Sequence, residues 1–486
     1  MMNDARSQST QTDSHQGASR AEGTSKRLIG PVQAAALSVG FMGPVMAMAL
    51  NGIGVAGLVG SKVPYTFIIA ALGVLFVAYA FVRLTGKFAH AGSVYALTGA
   101  TIGPRAGFFS GFALLGTYLF FVACIYGACG VFFDAFVSTL GWDISVPWPV
   151  TLIVIAALVL LLGVREAPVI TKILMVIGAV GIGLMLILAV IVIVQVAGGG
   201  GPHGEPLSMD PVLPGGASTS AVMTASVFAF LSWAGFESCT SLAEETRNPR
   251  RAIPIALLGS VILGGVIYVV VMYAQTVGFG TSDAGVASFA GADSSLIEIA
   301  SMYTGPMFAR LLALSAFAVA FASALSSTSA ASRLLFALAR DGFGPRFLAR
   351  TPARSSTPRN CVTAVVVLTL ALSLFLLIFQ AQAFETYYWF ATIAVLCLIV
   401  AYAMTSVGAI VAAARGTFGL HKGEMIIPLV ALAYLGYVYF VQAWGQEAPF
   451  TYFPWIAGAW CLVGLVVALV RPDMAKNIGD ELLLED

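Results

Sequence analysis

The feature that most limits what this chain can become is its repetition of long apolar runs. A run of about 20 apolar residues crosses a bilayer as a helix, because a helix satisfies every backbone N–H and C=O within one segment. Twelve such runs stand at residues 31–57, 64–84, 106–134, 146–163, 168–197, 218–245, 253–276, 306–338, 361–380, 385–412, 425–444 and 452–470. Hydrophobic residues make up 59% of the 486 and charged residues only 10%. A soluble domain carries about 25% charge, so no solvated surface could cover this chain. The expected class is an all-α integral membrane protein with twelve transmembrane helices, embedded in a lipid bilayer. The third and fifth runs exceed the usual length and are expected to tilt or to project beyond the bilayer.

Loop charge tests that count. With the N-terminal tail inside, the inner loops collect Arg83, Lys87, Arg105, Arg165, Lys172, Arg247, Arg250, Arg251, Arg346, Arg350, Arg415, Lys422 and Arg471, among others. The outer side keeps only Lys62 and Arg310, and otherwise carries acids: Asp143, Glu205, Asp210, Asp283, Asp293, Glu385 and Glu447. This is the positive-inside pattern, and an error of one span would invert every later loop. Both termini are therefore expected in the cytoplasm and the chain in the cytoplasmic (plasma) membrane. Residues 1–27 read as a disordered tail without a signal-peptide core, held inside by Arg20, Lys26 and Arg27. The outer loop 198–217, GGGGPHGEPLSMDPVLPGG and its flank, reads as flexible turn chemistry with a solvated His203.

Several functions are excluded. The net charge of +1 offers no face for nucleic acid. The six cysteines lie in apolar segments without Cys-x-x-Cys spacing, as small buried side chains do. The four histidines lie in tails and loops, and there is no phosphate loop or Ser–His pairing, so neither an enzyme nor a cofactor is expected.

Two runs contain helix breakers at their centres. The first reads SVGFMGPVMAMALNG, with Gly40, Gly43 and Pro44 crowded together; the sixth reads FLSWAGFES, with Gly235 followed by the carboxylate of Glu237. Glycine and proline are the poorest helix formers, so both runs are expected to unwind there. An unwound stretch survives at membrane depth only around a polar cavity or a ligand. Breaks at corresponding places in two five-span halves point to a transporter site between inverted repeats. The half-helix beginning at Pro44 would offer its positive end to a carboxylate, and free carbonyls would take an ammonium. Such a site suits a zwitterion such as an amino acid. Glu237, in the first turn after its break, is expected to titrate during transport or to organise the site.

These residues resemble the amino acid–polyamine–organocation superfamily of permeases. The likeness rests on GFMGP, on Trp233 to Glu237 followed by Glu245, Asn248-Pro249, Arg251 and Ile253-Pro254, on SRLLFALARDGFGP (Ser332 to Pro345) with Thr357-Pro358, and on AHAGSVY (Ala89 to Tyr95). It covers about residues 28–470. The resemblance implies a leucine-transporter-type fold: a five-helix repeat over 28–197, an extracellular loop at 198–217, a second repeat over 218–412, helices 11 and 12 over 413–470, and a tail at 471–486. It implies import or exchange of amino acids or related amines by alternating access.

Carried over by position, Gly40, Gly43, Pro44 and Val45 would surround the substrate carboxylate, Phe230, Ser232, Trp233 and Gly235 would meet the amino group and gate the site, and Tyr118 and Val122 would line it. Ser326 and Ser327, beside Ser323, Thr328 and Ser329, could coordinate sodium; small-residue packing explains them equally well. The sequence departs from the family in three places. Gly43-Pro44-Val45 replaces a common Gly-Ser-Gly and loses a hydroxyl and an N–H. Gly178 falls where some proton-coupled members carry lysine, with Lys172 as a possible substitute. Arg83 stands where members often have an acid, and snorkelling accounts for it. Tyr387, Tyr388 and Trp389 read as an interfacial aromatic belt, with an outer gate as the alternative. The coupling ion, H+ or Na+, and the oligomeric state are left open. A polyamine or organic-cation carrier of the same fold is the runner-up; a non-transporting amine sensor or receptor is the alternative of another class.

Overall fold

A computed structural model describes residues 30–87, 93–141, 146–165, 168–202, 204–350 and 358–471. The two expected tails, Asp143, His203, Thr357 and the start of AHAGSVY lie outside the described residues, as do the side chains of Lys172, Glu244 and Glu245.

The described chain is helical. It runs α1 (Pro31–Met42), α2 (Pro44–Val59), α3 (Val63–Thr85), α4 (Ser93–Thr101), α5 (Pro104–Thr139), α6 (Trp148–Arg165), α7 (Pro168–Ala197) and α8 (Thr219–Leu231). After a 3₁₀ segment at Phe236–Glu245 come α9 (Pro249–Phe279), α10 (Asp283–Ala290), α11 (Ser295–Thr304) and α12 (Pro306–Arg340). The last four are α13 (Arg359–Leu376), α14 (Ala383–Arg415), α15 (Ile426–Ala443) and α16 (Phe453–Val470). Among the described residues, 11 stretches are long and apolar enough to cross a membrane. One of them, Pro44–Thr85, joins α2 to α3 through a 3₁₀ turn at Gly60–Lys62, and α1 is a shorter apolar helix beside it. The protein is a multi-pass membrane protein.

Burial sorts these helices. The apolar window of α5 is 94% buried, whereas those of α13 and α15 are 28% buried. A helix that is apolar all round must face protein or lipid. α5 is the central pillar, packed along α14 and α12, while α3 lies along α9. The thinly covered helices turn side chains such as Val150, Ile153, Val367, Leu429, Leu462 and Val463 outward, as a lipid-facing rim does.

The charged residues at the rims are more firmly held than the sequence implied. Lys62 is buried, and its ammonium donates to Asp210 Oδ2 at 2.7 Å and to Asp210 O at 2.7 Å. Glu205 accepts from Thr281 N at 2.6 Å, Thr281 Oγ1 at 2.7 Å and Ser282 N at 3.1 Å, and Tyr273 OH donates to Ser208 O. The segment expected as a flexible loop is therefore fastened to the starts of α3 and α10, because its carboxylates meet the Lys62 ammonium and the Thr281 and Ser282 donors there. Arg83 does not merely snorkel: it pairs with Glu424 at 2.7 Å, and Tyr79 OH donates to the same carboxylate at 2.9 Å.

Candidate functional site

The first run breaks at one residue. Gly43 adopts φ 57 and ψ 59, which ends α1; Pro44 then opens α2, where its missing N–H is harmless. The ladder resumes with Ala47 N donating to Gly43 O at 2.9 Å. The first amides of α2 thus have no acceptor in their own helix. The second break is longer. α8 stops at Leu231, and Ser232, Trp233 and Ala234 each bond three residues back, to Ala229, Phe230 and Leu231. Gly235 has φ 91 and is followed by the 10-residue 3₁₀ segment. Runs of 3₁₀ helix beyond three or four residues are uncommon and mark strained or hinged sites.

The two breaks touch. The Phe41 ring lies against Gly235, in space that any Cβ there would occupy, and is stacked on Phe121 at 5.8 Å with a 7° interplanar angle. Ser38 Oγ donates to Phe236 O at 2.7 Å and accepts from Cys239 N at 3.2 Å. Ser323 Oγ on α12 donates to Phe41 O at 3.3 Å. The end of α1 is thereby tied to the 3₁₀ segment and to α12.

Glu237 is fully buried beside this junction. Tyr118 OH on α5 donates to its Oε1 at 3.3 Å, and Tyr402 OH on α14 donates to its Oε2. Phe81 and Phe236 pack their rings against Tyr402. A buried carboxylate is costly unless hydrogen-bonded or protonated. Here two phenols hold it, so one carboxyl joins α5, the 3₁₀ segment and α14.

The structure places the remaining expected residues as follows. Val45 and Val122 are buried, and Val122 lies one turn along α5 from Tyr118. Gly40 is exposed within α1, a turn before the break, with open space where a Cβ would sit. Phe230 packs on Tyr402 and Tyr434. The Trp233 indole is turned to α9, donating to Val261 O at 3.2 Å and meeting Tyr268 edge-on at 5.0 Å, so its backbone rather than its ring borders the break. Ser232 Oγ accepts from Asn51 Nδ2 at 2.8 Å. Ser326 is half-buried, and among the described residues the buried Ser327 Oγ has no protein partner; Ser323 is the α12 residue whose hydroxyl bonds to Phe41 O at the break. Gly178 faces Val319, so closely that a Cβ there would stand 3.3 Å from Val319 Cγ2.

Tyr387 and Tyr388 correct the belt reading. Both are buried, and their hydroxyls reach Asn51 Oδ1 at 2.5 Å and Leu50 O. Asn51, Tyr402, Ser38 and Phe41 were missed by sequence reasoning. The signal for Asn51 was a lone amide in an apolar run; for Tyr402 it was a hydroxyl at mid-span with no partner in its own helix. A cavity of about 220 Å³ lies away from both breaks, with wholly apolar walls that include Leu115, Leu335, Leu368 and Trp460.

Sequence comparison decides the family. An amino acid permease family model matches residues 29–467. The chain belongs to the amino acid permease family. Among relatives of this family member is a branched-chain amino acid permease, BcaP, of Bacillus subtilis (strain 168), 26% identical over 70% of this chain and 73% of that one. The protein of the same name from Lactococcus lactis subsp. cremoris (strain MG1363) is 23% identical over 91% of this chain and 94% of that one. The low-affinity putrescine importer PlaP of Escherichia coli (strain K12) is 25% identical over 64% of this chain. The match spans 66% of that importer's length, just under two thirds.

Proposed function

We propose that this protein is a secondary active transporter that imports or exchanges amino acids across the cytoplasmic membrane by alternating access, and not an enzyme. Its core is read as two inverted five-helix repeats with two added helices, twelve spans in all, with both termini cytoplasmic and the Lys62 end outside. The observation that carries the reading is the contact of two broken helices at Phe41 and Gly235, beside the buried Glu237. Amides at the start of α2 offer positive dipoles to a carboxylate, and the carbonyls where α8 ends offer negative ones to an ammonium. Around them stand Phe41, Met46, Phe121 and Val319, all apolar and buried. These walls favour a neutral amino acid with an aliphatic side chain, in line with the likeness to branched-chain amino acid permeases. A diamine would need a second acid, and the carboxyl of Glu237 is already taken by two phenols.

Glu237 is the proton-coupling candidate, and Ser323 with Ser326 and Ser327 the sodium alternative. The deciding experiment is uptake by proteoliposomes of radiolabelled leucine, arginine and putrescine under imposed proton or sodium gradients. Leucine uptake driven by a proton gradient and lost in Glu237→Gln is the expected result. Putrescine uptake without leucine uptake would establish the polyamine reading, which the likeness to a putrescine importer keeps in view. A Glu237→Gln protein with the original rate and pH profile would remove the proton role.

A further inference from the structure

A second polar cluster lies between the broken helices and α14. Asn51 sits on α2, seven residues after Pro44 and so about 10 Å along the helix, and is fully buried. Its two amide atoms are distinguishable by distance. The 2.5 Å separation from Tyr387 OH fits O–H···O and is too short for N–H···O, whereas the 2.8 Å separation from Ser232 Oγ fits N–H···O. The chain therefore runs one way: Tyr387 donates to Asn51 Oδ1, and Asn51 Nδ2 donates to Ser232, the residue at which α8 ends.

The next residue of α14 grips α2 itself. Leu50 and Gly54 are four residues apart, so the carbonyl of one and the amide of the other are partners in the helix ladder. Tyr388 OH donates to Leu50 O and accepts from Gly54 N at 3.2 Å, and so bridges that step. Only glycine allows the approach, because a Cβ at position 54 would stand 2.8 Å from Tyr388 Cε1 and 3.1 Å from Phe228 Cδ2. Consecutive tyrosines thus hold consecutive residues of α2, and one of them reaches through Asn51 to the second break.

We infer that Asn51 is a positioning residue for the solute site, which rests on the reading of the paired breaks as that site. The amide ties α2, whose start offers donors, to Ser232, where α8 offers carbonyls, so the two dipoles face one solute in a fixed register. Tyr387 supports the tie only while α14 is docked, so undocking α14 loosens both half-helices together. The free proton of Ser232 follows from the same polarity. Its oxygen accepts from Asn51, and among the described residues its O–H donates to no protein group. Ser232 therefore presents a donor to the site, which revises the amino-group role that resemblance gave it.

The test uses the full-length protein with radiolabelled leucine as the probe, in Asn51→Ala, Tyr387→Phe and the double variant. A hydrogen bond of ordinary strength lost from the bound state changes an equilibrium about five- to tenfold. Each single variant is expected to raise the KM for leucine by that factor while Vmax is kept, and the double variant to match Asn51→Ala alone, because one chain is cut twice. Cys124, buried on α5 beside Tyr387 and Tyr388, supplies a second readout that does not depend on transport. A membrane-impermeant maleimide is expected to modify Cys124 several-fold faster in both variants, as located by peptide mass spectrometry. Tyr387→Phe removes one oxygen and keeps the ring, so it stands in should Asn51→Ala fail to fold. Lower thermal stability with unchanged KM and unchanged Cys124 labelling would overturn the inference. If the wild type carries no leucine, the choice of leucine as solute falls by itself, and labelling alone decides whether the amide holds the two helices together.

Discussion

Gly235→Ala is the substitution that most directly tests the contact between the two breaks. At φ 91 the backbone is in a region that L residues adopt at a cost of about 1–3 kcal/mol. The new methyl group would also occupy the place of the Phe41 ring, which must leave its stack on Phe121 and give up about 0.5–1.5 kcal/mol. Together these amount to about 1.5–4.5 kcal/mol against the closed junction, or roughly 10- to 1,600-fold in its population at 1.4 kcal/mol per tenfold. The fold should survive, because the penalty is local and α5, α12 and α14 pack elsewhere over most of their lengths. Leucine uptake by proteoliposomes should fall at least about tenfold by the same estimate, with only a modest drop in the thermal midpoint. Adding Phe41→Ala removes the overlap but keeps the backbone strain, so the double variant should recover part of the rate. Gly204→Ala is the control: it has φ 65 with open space around it, and its cost should appear in stability and not in transport. Wild-type uptake by Gly235→Ala, or no recovery when the Phe41 ring is removed, would refute the contact between the breaks as the working element.

Tyr402→Phe removes one of the two phenols on Glu237, a hydrogen bond of about 1.5–3 kcal/mol if the carboxylate is charged, and should slow leucine uptake about tenfold or more without unfolding the protein. Lys62→Met removes the ammonium that holds Asp210, whose exposed carboxylate stays hydrated; up to about 1 kcal/mol should be lost, read as faster proteolysis within 198–217 and a lower thermal midpoint. Glu205 is held down to a pKa of about 2 from its ordinary 4.5 by hydrogen bonds from Ser282 and Thr281. The stabilisation that this lowered value represents is complete above about pH 4.5 and is lost as the pH falls through about 2, so protection of 206–213 from hydrogen exchange should fade over that window and lose its pH dependence in Glu205→Gln. Gly54→Ala should drive Tyr388 off the α2 ladder and lower the thermal midpoint, whereas Gly183→Ala, with open space around it, should not.

The spans were legible because helix formation in lipid is decided locally. The run 168–197 coincides with α7, and the run 306–338 differs from α12 by two residues at one end. The breaks were legible for the same reason, since Gly43, Pro44 and Gly235 declare themselves by their own backbone preferences. Partners across the bundle were not. Nothing near Glu237 in sequence announces Tyr118, 119 residues away, or Tyr402, 165 away. Tyr387 and Tyr388 looked like an interfacial belt because an aromatic pair near the end of an apolar run has that signature, and only the packing of α14 against α5 and α8 buries them.

Taken alone, the amino-acid order determined that the chain lives in a bilayer, where its helices run, where two of them must yield, and that a carboxyl follows the second weak point. Those are properties of segments, set by transfer of side chains from water and by backbone conformational preference, and both act over a few residues. The tertiary structure decided which groups meet: Phe41 with Gly235, the two phenols with Glu237, the amide of Asn51 with Ser232 and Tyr387, and Lys62 with the segment that follows α7. Each of those meetings depends on how helices far apart in the chain are packed, and a buried polar group has no preferred partner until packing removes every other one.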